Sequence, residues 1–143
     1  MIFFYDTSAL LKLYINELHS DSLRAATAHS KGDFVCQITW VEMCAALARR
    51  VRTGETVQEI ADAALAQLEQ LWPQYQQLAV DAHLIQVAGQ HAQAFGLRAY
   101  DSVQLASAQL AHQTLQGSMV FCCYDKTLNL AASALGMQLL PKT

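Results

Sequence analysis

The sequence carries little charge and only a small excess of acid over base. Of its 143 residues, 15% are charged: nine are Lys or Arg and twelve are Asp or Glu, which leaves a net charge of -3. The low charge and a hydrophobic fraction of 53% exclude an intrinsically disordered chain. The acidic balance argues against a protein that coats nucleic acid nonspecifically, because phosphate binding depends on Lys and Arg. An enzyme that acts on nucleic acid is not excluded, since bound cations reverse the charge of a carboxylate site.

The sequence also lacks an apolar run of about 18 residues, the length that a membrane span requires. Its first segment is apolar but is interrupted by Asp6 and Lys12, whereas a secretory signal has a basic start and an uncharged core. The four cysteines form no C-x-x-C pair, and no histidine lies at zinc-finger spacing from them, which argues against zinc. We therefore expect a cytoplasmic protein, with no membrane contact, whose thiols are reduced and buried. These thiols belong to Cys36, Cys44, Cys122 and Cys123.

Glycine and proline are few, and they fall between segments of regular hydrophobic spacing. Short apolar runs predict strands at residues 2–5, 34–37, 76–80, 119–124 and 137–140. Helices are predicted at residues 9–15, 19–30, 40–52, 56–72, 81–95, 100–115 and 126–135. Strands that alternate with helices indicate an α/β fold with three layers, in which helices cover both faces of a central, mostly parallel sheet. The length suits one domain spanning residues 1–143.

Two of the predicted helix starts have the spacing of a capping box, in which Ser or Thr is followed three residues later by Glu or Gln. Thr39 stands three residues before Glu42, and Thr56 stands three residues before Glu59. We predict that Thr39 and Thr56 are the N-caps of the third and fourth helices. This prediction places Glu42 in a first helical turn.

Four acids are expected at the carboxyl edge of the sheet, where parallel α/β proteins bind their ligands. Asp6 follows the first strand, Asp125 follows the fourth, and Glu42 and Asp101 begin helices. Each lies among apolar residues, and buried carboxylates are costly unless they are paired or bind metal. Oxygen ligands alone favour Mg²⁺ or Mn²⁺, which indicates phosphodiester hydrolysis. The alternative is that each acid only caps a helix or interacts with its dipole.

Four sequence blocks resemble the motifs of PIN domains, in particular those of VapC-type toxins from toxin–antitoxin pairs. The blocks are FFYDTSALLKLY, TWVEMCAALARR, LRAYDSVQLASAQLA and VFCCYDKTLNLAASALGMQLL, in the family's order and spacing. The resemblance implies Asp6, Glu42, Asp101 and Asp125 as catalytic residues and metal ligands. It also implies dependence on Mg²⁺ or Mn²⁺, cleavage of RNA and an antitoxin partner; whether the protein forms a homodimer stays open. Cys123 departs from the pattern, because family members often carry Thr or Ser there.

Two alternative functions are a phosphotransferase and a non-catalytic binding module. A phosphotransferase with Asp6 as nucleophile would need a partner acid two residues later, where this chain has Ser8. A non-catalytic PIN-like module that binds RNA or protein is an alternative, although such a loss of activity would be signalled by a missing acid, and none is missing.

Thr7 and Ser8 could hold a water or a phosphate oxygen. Arginines at the end of the third helix could bind RNA backbone or simply face solvent; they are Arg49, Arg50 and Arg52.

Overall fold

A five-stranded parallel sheet forms the centre of the protein in the computed structural model, which describes residues 1–142. The strands are β1 (Ile2–Tyr5), β2 (Gly32–Cys36), β3 (Gln76–Leu78), β4 (Met119–Cys122) and β5 (Gln138–Leu140). Their order across the sheet is β3-β2-β1-β4-β5, and every neighbouring pair is parallel. The first strand of the chain is therefore the middle strand of the sheet. All carboxyl ends lie at one edge, as the alternation of strands and helices predicted.

Within the described residues 1–142, seven helices connect the strands and cover the sheet. They are α1 (Thr7–Tyr14), α2 (Ser20–Thr27), α3 (Ile38–Arg52), α4 (Gln58–Leu71), α5 (Ala82–Phe95), α6 (Ala99–Thr114) and α7 (Lys126–Ala134). A short 3-10 turn, Trp72–Gln74, follows α4 and contains Pro73, whose ring is compatible with a first turn but not with the interior of a helix. Across residues 1–142, no helix combines the length and the apolar character needed to cross a membrane.

The sheet separates two hydrophobic cores. Side chains of a strand alternate between its faces, so Phe4 contributes to the core formed with α5, α6 and α7. Its neighbours Phe3 and Tyr5 contribute to the opposite core, formed with α1, α3 and α4. In β4, Phe121 and Val120 divide in the same way. The predicted three-layer α/β/α architecture is confirmed, and the apolar character of β1 and β4 is explained by burial on both faces.

Both threonine caps predicted from the capping-box spacing were wrong. Thr39 lies inside α3, fully buried, and its hydroxyl accepts a hydrogen bond from the side chain of Gln104 at 2.7 Å. Because α3 begins at Ile38, Glu42 lies beyond the first turn. Helix α4 begins at Gln58, one residue past Val57, so Thr56 does not cap it and no side chain does. A spacing pattern identifies residues that can form local hydrogen bonds, but the Thr39 hydroxyl instead binds Gln104, which is distant in the chain.

Three aspartates do act as N-caps. The side chains of Asp6, Asp81 and Asp125 accept backbone N–H groups at the starts of α1, α5 and α7. Asp6 and Asp125 thus fill the capping role that was the alternative to a metal-binding role. Capping uses one carboxylate oxygen in each, because a single oxygen accepts the helix N–H, and it leaves the second oxygen for another partner.

Candidate active site

Asp6 is buried where the central strand passes into α1. One carboxylate oxygen, Oδ1, accepts hydrogen bonds from the Ala9 N–H at 3.0 Å and the Ser8 hydroxyl at 2.7 Å. The other, Oδ2, lies 3.1 Å from the Cys123 Sγ. Burial raises the pKa of Asp6 from 3.8 to about 6; the hydrogen bonds from Cys123, Ser8 and Ala9 oppose this rise, and the charge of Glu42 adds to it. The fold therefore holds a carboxylate where ionisation is unfavourable.

Cys123 connects Asp6 to the segment that carries Asp125. Burial raises the pKa of the Cys123 thiol above its ordinary value, so the group stays protonated and donates to Asp6. The backbone N–H of Asp125 points to the same sulfur at 3.3 Å. Ser8 completes the connection, because its hydroxyl oxygen accepts the N–H of Tyr124 at 3.0 Å. The cysteine that departs from the family pattern thus contacts the first acid directly.

Glu42 is held by donors from two other helices. Its Oε1 accepts the hydroxyl of Thr7, on α1, at 2.7 Å. The same oxygen accepts the side-chain amide of Gln104, on α6, at 2.8 Å. Gln104 is 2% exposed, and its amide nitrogen also lies 2.7 Å from the Thr39 hydroxyl. Buried polar groups are normally hydrogen-bonded, so this set of contacts fixes the position of the Glu42 carboxylate.

Asp101 and Asp125 share one arginine. The Nε and Nη2 atoms of Arg98 both lie 3.1 Å from Asp101 Oδ2, and Nη2 lies 3.8 Å from Asp125 Oδ2. Asp125 Oδ1 is occupied by its capping bond to the Leu128 N–H at 2.9 Å. Arg98 itself is largely exposed, so both ion pairs are open to water.

Two cavities at this edge share Arg98 and Asp101 as lining residues. The larger, about 560 Å³, contains Glu42 and Thr7 and is bordered by Tyr100. Its rim also carries Arg49 and Arg52, as the sequence suggested for a surface facing solvent or RNA. The smaller, about 250 Å³, contains Asp125 and Thr127. Arg50 lies elsewhere, paired with Glu17 at 2.6 Å.

The four predicted acids therefore form a row in which each is linked to the next. Asp6 and Glu42 interact electrostatically, Glu42 and Asp101 line one cavity, and Asp101 and Asp125 share Arg98. They do not form a single closed cluster: within residues 1–142, no three His, Cys, Asp or Glu side chains are arranged to hold one metal ion together. Their assignment as metal ligands stays a prediction.

The family follows from comparison with known proteins. The model of the PIN domain matches residues 3–128. The chain belongs to the PIN domain family. It is 30% identical over 139 residues to "Ribonuclease VapC45" of Mycobacterium tuberculosis, a match that covers 96% of this chain and 94% of that protein.

Solved structures agree with the PIN fold. "FitAcB from Neisseria gonorrhoeae" is similar with a TM-score of 0.67 at 17% identity, covering 97% of this chain and 96% of that one. A "Toxin-antitoxin complex from Klebsiella pneumoniae" is similar with a TM-score of 0.59 at 15% identity, covering 85% of each chain. At such identities the likeness concerns the fold.

Sequence reasoning missed two residues of this PIN domain's site. Gln104 contacts Glu42, and Thr39 contacts Gln104, yet neither was singled out for that purpose. A usable signal existed: Gln104 lies three residues after Asp101, on a helix face otherwise made of small and apolar residues. A long amide at a buried helical position needs a polar partner, and the nearby acids offered one.

The residues of this PIN domain fit Mg²⁺ or Mn²⁺. The side chains that face the cavities offer carboxylate oxygens, and no histidine or thiolate competes, because Cys123 stays protonated. Mg²⁺ is usually bound through one or two carboxylates together with waters and substrate phosphate. Pairs of acids are thus a suitable donor set, even without a cluster of three. A cation, the Arg98 guanidinium, already lies between one such pair.

Proposed function

We propose that this PIN domain is a ribonuclease that depends on Mg²⁺ or Mn²⁺ and serves as the toxin of a toxin–antitoxin pair. The observation that carries the proposal is the row of acids along the carboxyl edge of the sheet, each fixed by a separate element. Similarity to a protein named as a ribonuclease along nearly the whole chain supports it. The four acids proposed to bind the cation and carry catalysis are Asp6, Glu42, Asp101 and Asp125.

The side chains around these acids would have distinct roles. A bound divalent cation offsets the negative charge of the phosphate and of the oxygen that leaves it. Thr7 and Gln104 orient Glu42 before any substrate arrives. Ser8 and Cys123 fix the two oxygens of Asp6 in the same way. Preorganised ligands of this kind do not have to rearrange during the reaction, which is a large part of electrostatic catalysis.

The larger cavity is the proposed path of the RNA. Three of its lining residues, Arg49, Arg52 and Arg98, are cationic in a chain that is acidic overall. Guanidinium groups bind phosphates, and this sequence-independent contact positions the backbone. Tyr100 is 61% exposed beside Asp101 and offers an aromatic face on which an unpaired base can stack. Single-stranded RNA is therefore the proposed substrate.

A protein inhibitor is part of the same proposal, because an unregulated ribonuclease would harm the cell that makes it. The similar Klebsiella pneumoniae structure is described as a toxin–antitoxin complex. We expect the neighbouring gene product to co-purify with this protein and to suppress its activity. Normal growth on expression of this chain alone, with no co-purifying neighbour, would contradict the toxin role without touching the nuclease activity. A cytoplasmic location and a single domain remain expectations.

Cleavage by purified protein tests the enzyme. We expect single-stranded RNA to be cut with Mn²⁺ or Mg²⁺ and to remain intact in excess EDTA. Asp101→Asn should abolish cleavage, since it removes a proposed ligand, whereas Asp81→Asn should not, since Asp81 is an exposed cap on α5. Equal rates for the two variants would remove Asp101 from the ligand set. RNA binding without cleavage under any metal would favour the non-catalytic alternative.

A further inference from the structure

Arg98 occupies one carboxylate oxygen of Asp101 and one of Asp125 that a cation could otherwise bind. Asp125 Oδ1 is committed to the Leu128 N–H, so Oδ2 is the oxygen left for a ligand, and that oxygen lies 3.8 Å from Arg98 Nη2. On Asp101, both Nε and Nη2 of Arg98 approach Oδ2 at 3.1 Å. A divalent cation bound to these two oxygens would meet the guanidinium in the same space. The two kinds of cation therefore compete.

The structure also shows where Arg98 can go. Its side chain is 82% exposed, so little packing resists its movement. It lines both the smaller cavity, with Asp125, and the larger cavity, with Glu42. Rotation about its own bonds can move the guanidinium away from Asp125 without a change in the backbone. The larger cavity is the one in which Arg49 and Arg52 lie, so the displaced group would join two other arginines.

The ion pairs of Arg98 with Asp101 and Asp125 are weak enough for a divalent cation to replace the guanidinium. Exposed ion pairs are weak, because water screens them and ordering a long side chain opposes them. The longer contact to Asp125 is weaker still. A dication carries twice the charge of a guanidinium and can displace it, yet the guanidinium reduces the repulsion between the two carboxylates while no metal is bound.

We propose that Arg98 is a tethered cation that holds Asp101 and Asp125 in the metal-free protein, yields them to a divalent ion and then binds a phosphate of the substrate in the larger cavity. This inference rests on the proposed function, because it concerns the same acids. It makes Arg98 a determinant of metal affinity and of substrate binding, with opposite signs. Arg98 lowers the affinity for the metal and raises the affinity for RNA.

Direct metal binding tests the first half. Metal-free protein is titrated with Mn²⁺ at low ionic strength, and free Mn²⁺ is followed by electron paramagnetic resonance. We expect Arg98→Ala to bind Mn²⁺ about threefold to tenfold more tightly than wild type, as loss of two exposed ion pairs implies. Arg98→Lys should lie between them. Added salt should shrink the difference, because salt screens the ion pairs of the wild type.

Arg49→Ala is the matched control, since it removes one positive charge from the same cavity but no ion pair with either acid. It should change Mn²⁺ affinity less than Arg98→Ala does. An equal gain in both variants, or no gain in Arg98→Ala, would overturn the competition. If neither wild type nor Arg98→Ala binds Mn²⁺, or if both bind it equally, this inference fails. The proposed metal dependence is decided separately, by cleavage of RNA with Mn²⁺ and in excess EDTA, because substrate phosphate can supply part of the donor set.

Steady-state cleavage at saturating Mn²⁺ tests the second half. Arg98→Ala should raise KM for single-stranded RNA, and Arg98→Lys should restore part of the loss because a lysine still contacts phosphate. An unchanged KM in Arg98→Ala would refute the transfer to phosphate. Because Arg98 is exposed and its backbone carbonyl, not its side chain, accepts the Ser102 hydroxyl, neither variant should unfold.

Discussion

Replacing Asp6 by asparagine should make the metal-free protein more stable at neutral pH. The carboxyl of Asp6 has its ordinary pKa of 3.8 in the unfolded chain, but burial raises this pKa to about 6 in the folded protein. Below pH 3.8 the group is protonated in both states and imposes no penalty. As the pH rises from 3.8 through the folded-state pKa of about 6, the free energy of unfolding falls, because the unfolded chain ionises more readily than the folded protein. Asparagine cannot ionise, so Asp6→Asn avoids this loss.

The size of the effect follows from the shift. A rise in pKa from 3.8 to about 6 lowers the free energy of unfolding by about 3 kcal/mol at a pH well above both values. Roughly 2 kcal/mol of that develops between pH 4.5 and pH 8, because part of the penalty is already present at the lower pH. Asparagine has its own defects: its amide faces the Cys123 sulfur, and the helix start loses a charge. The amide contact does not depend on pH, so it offsets the two curves by a constant. The lost charge is present in wild type only when Asp6 is ionised, and its effect is already part of the folded-state pKa of about 6.

Urea unfolding in EDTA, followed by circular dichroism, measures this divergence. The stability of Asp6→Asn relative to wild type should increase by about 2 kcal/mol from pH 4.5 to pH 8. The control is Asp81→Asn, because Asp81 caps α5 through the same kind of bond, to the Leu84 N–H at 2.8 Å, but is exposed. Loss of a charge at a helix start costs about 0.3–1 kcal/mol in either variant. If Asp6→Asn and wild type keep a constant difference across the pH range, Asp6 is not a strained carboxylate.

Two further variants test the residues that hold the acids. Gln104→Met should lower kcat about tenfold and leave KM nearly unchanged, because Glu42 loses a donor that orients it. The control is Gln109→Met: Gln109 is also on α6, but its amide contacts His91, so this variant should keep its kcat. Equal losses of kcat in both variants would indicate a general effect on α6. Cys123→Ser should keep the stability of wild type because a hydroxyl still donates at that position, whereas Cys122→Ser should lose about 1–3 kcal/mol in an apolar core. Unfolding in urea distinguishes the two cysteine variants, and the reverse order would refute the donor role of Cys123.

Much of the fold could be predicted from the sequence because its signals are local and repeated. The apolar runs of β1 and β4 exceed what one buried face requires, which indicated a parallel sheet. Each of these strands ends at a polar segment that begins with or contains an aspartate. Since parallel strands share one carboxyl edge, the residue order was enough to place Asp6 and Asp125 at the same edge of the sheet, but the pairing of β1 with β4 is known only from the structure.

The contacts between elements could not be predicted in the same way. Thr39 and Thr56 satisfy a capping pattern, but the pattern does not indicate that Gln104 takes the Thr39 hydroxyl from another helix. The bridging position of Arg98 depends on how α6 and α7 approach each other. Such contacts join residues far apart in the chain, and their geometry is set by tertiary packing, which overrides local preference.

The strand order has a consequence for the time at which the site can exist. Cys123, which donates to Asp6, lies 117 positions later in the chain, and β1 is central only once β4 has joined it. At a synthesis rate of about 10 residues per second, a nascent chain carries Asp6 for roughly 10 s before Cys123 has been made. During that interval Asp6 lacks the donor to its Oδ2, and β1 lacks one of its two neighbouring strands. We therefore expect the site, and any activity that depends on it, to form only after β4 and Cys123 have been synthesised.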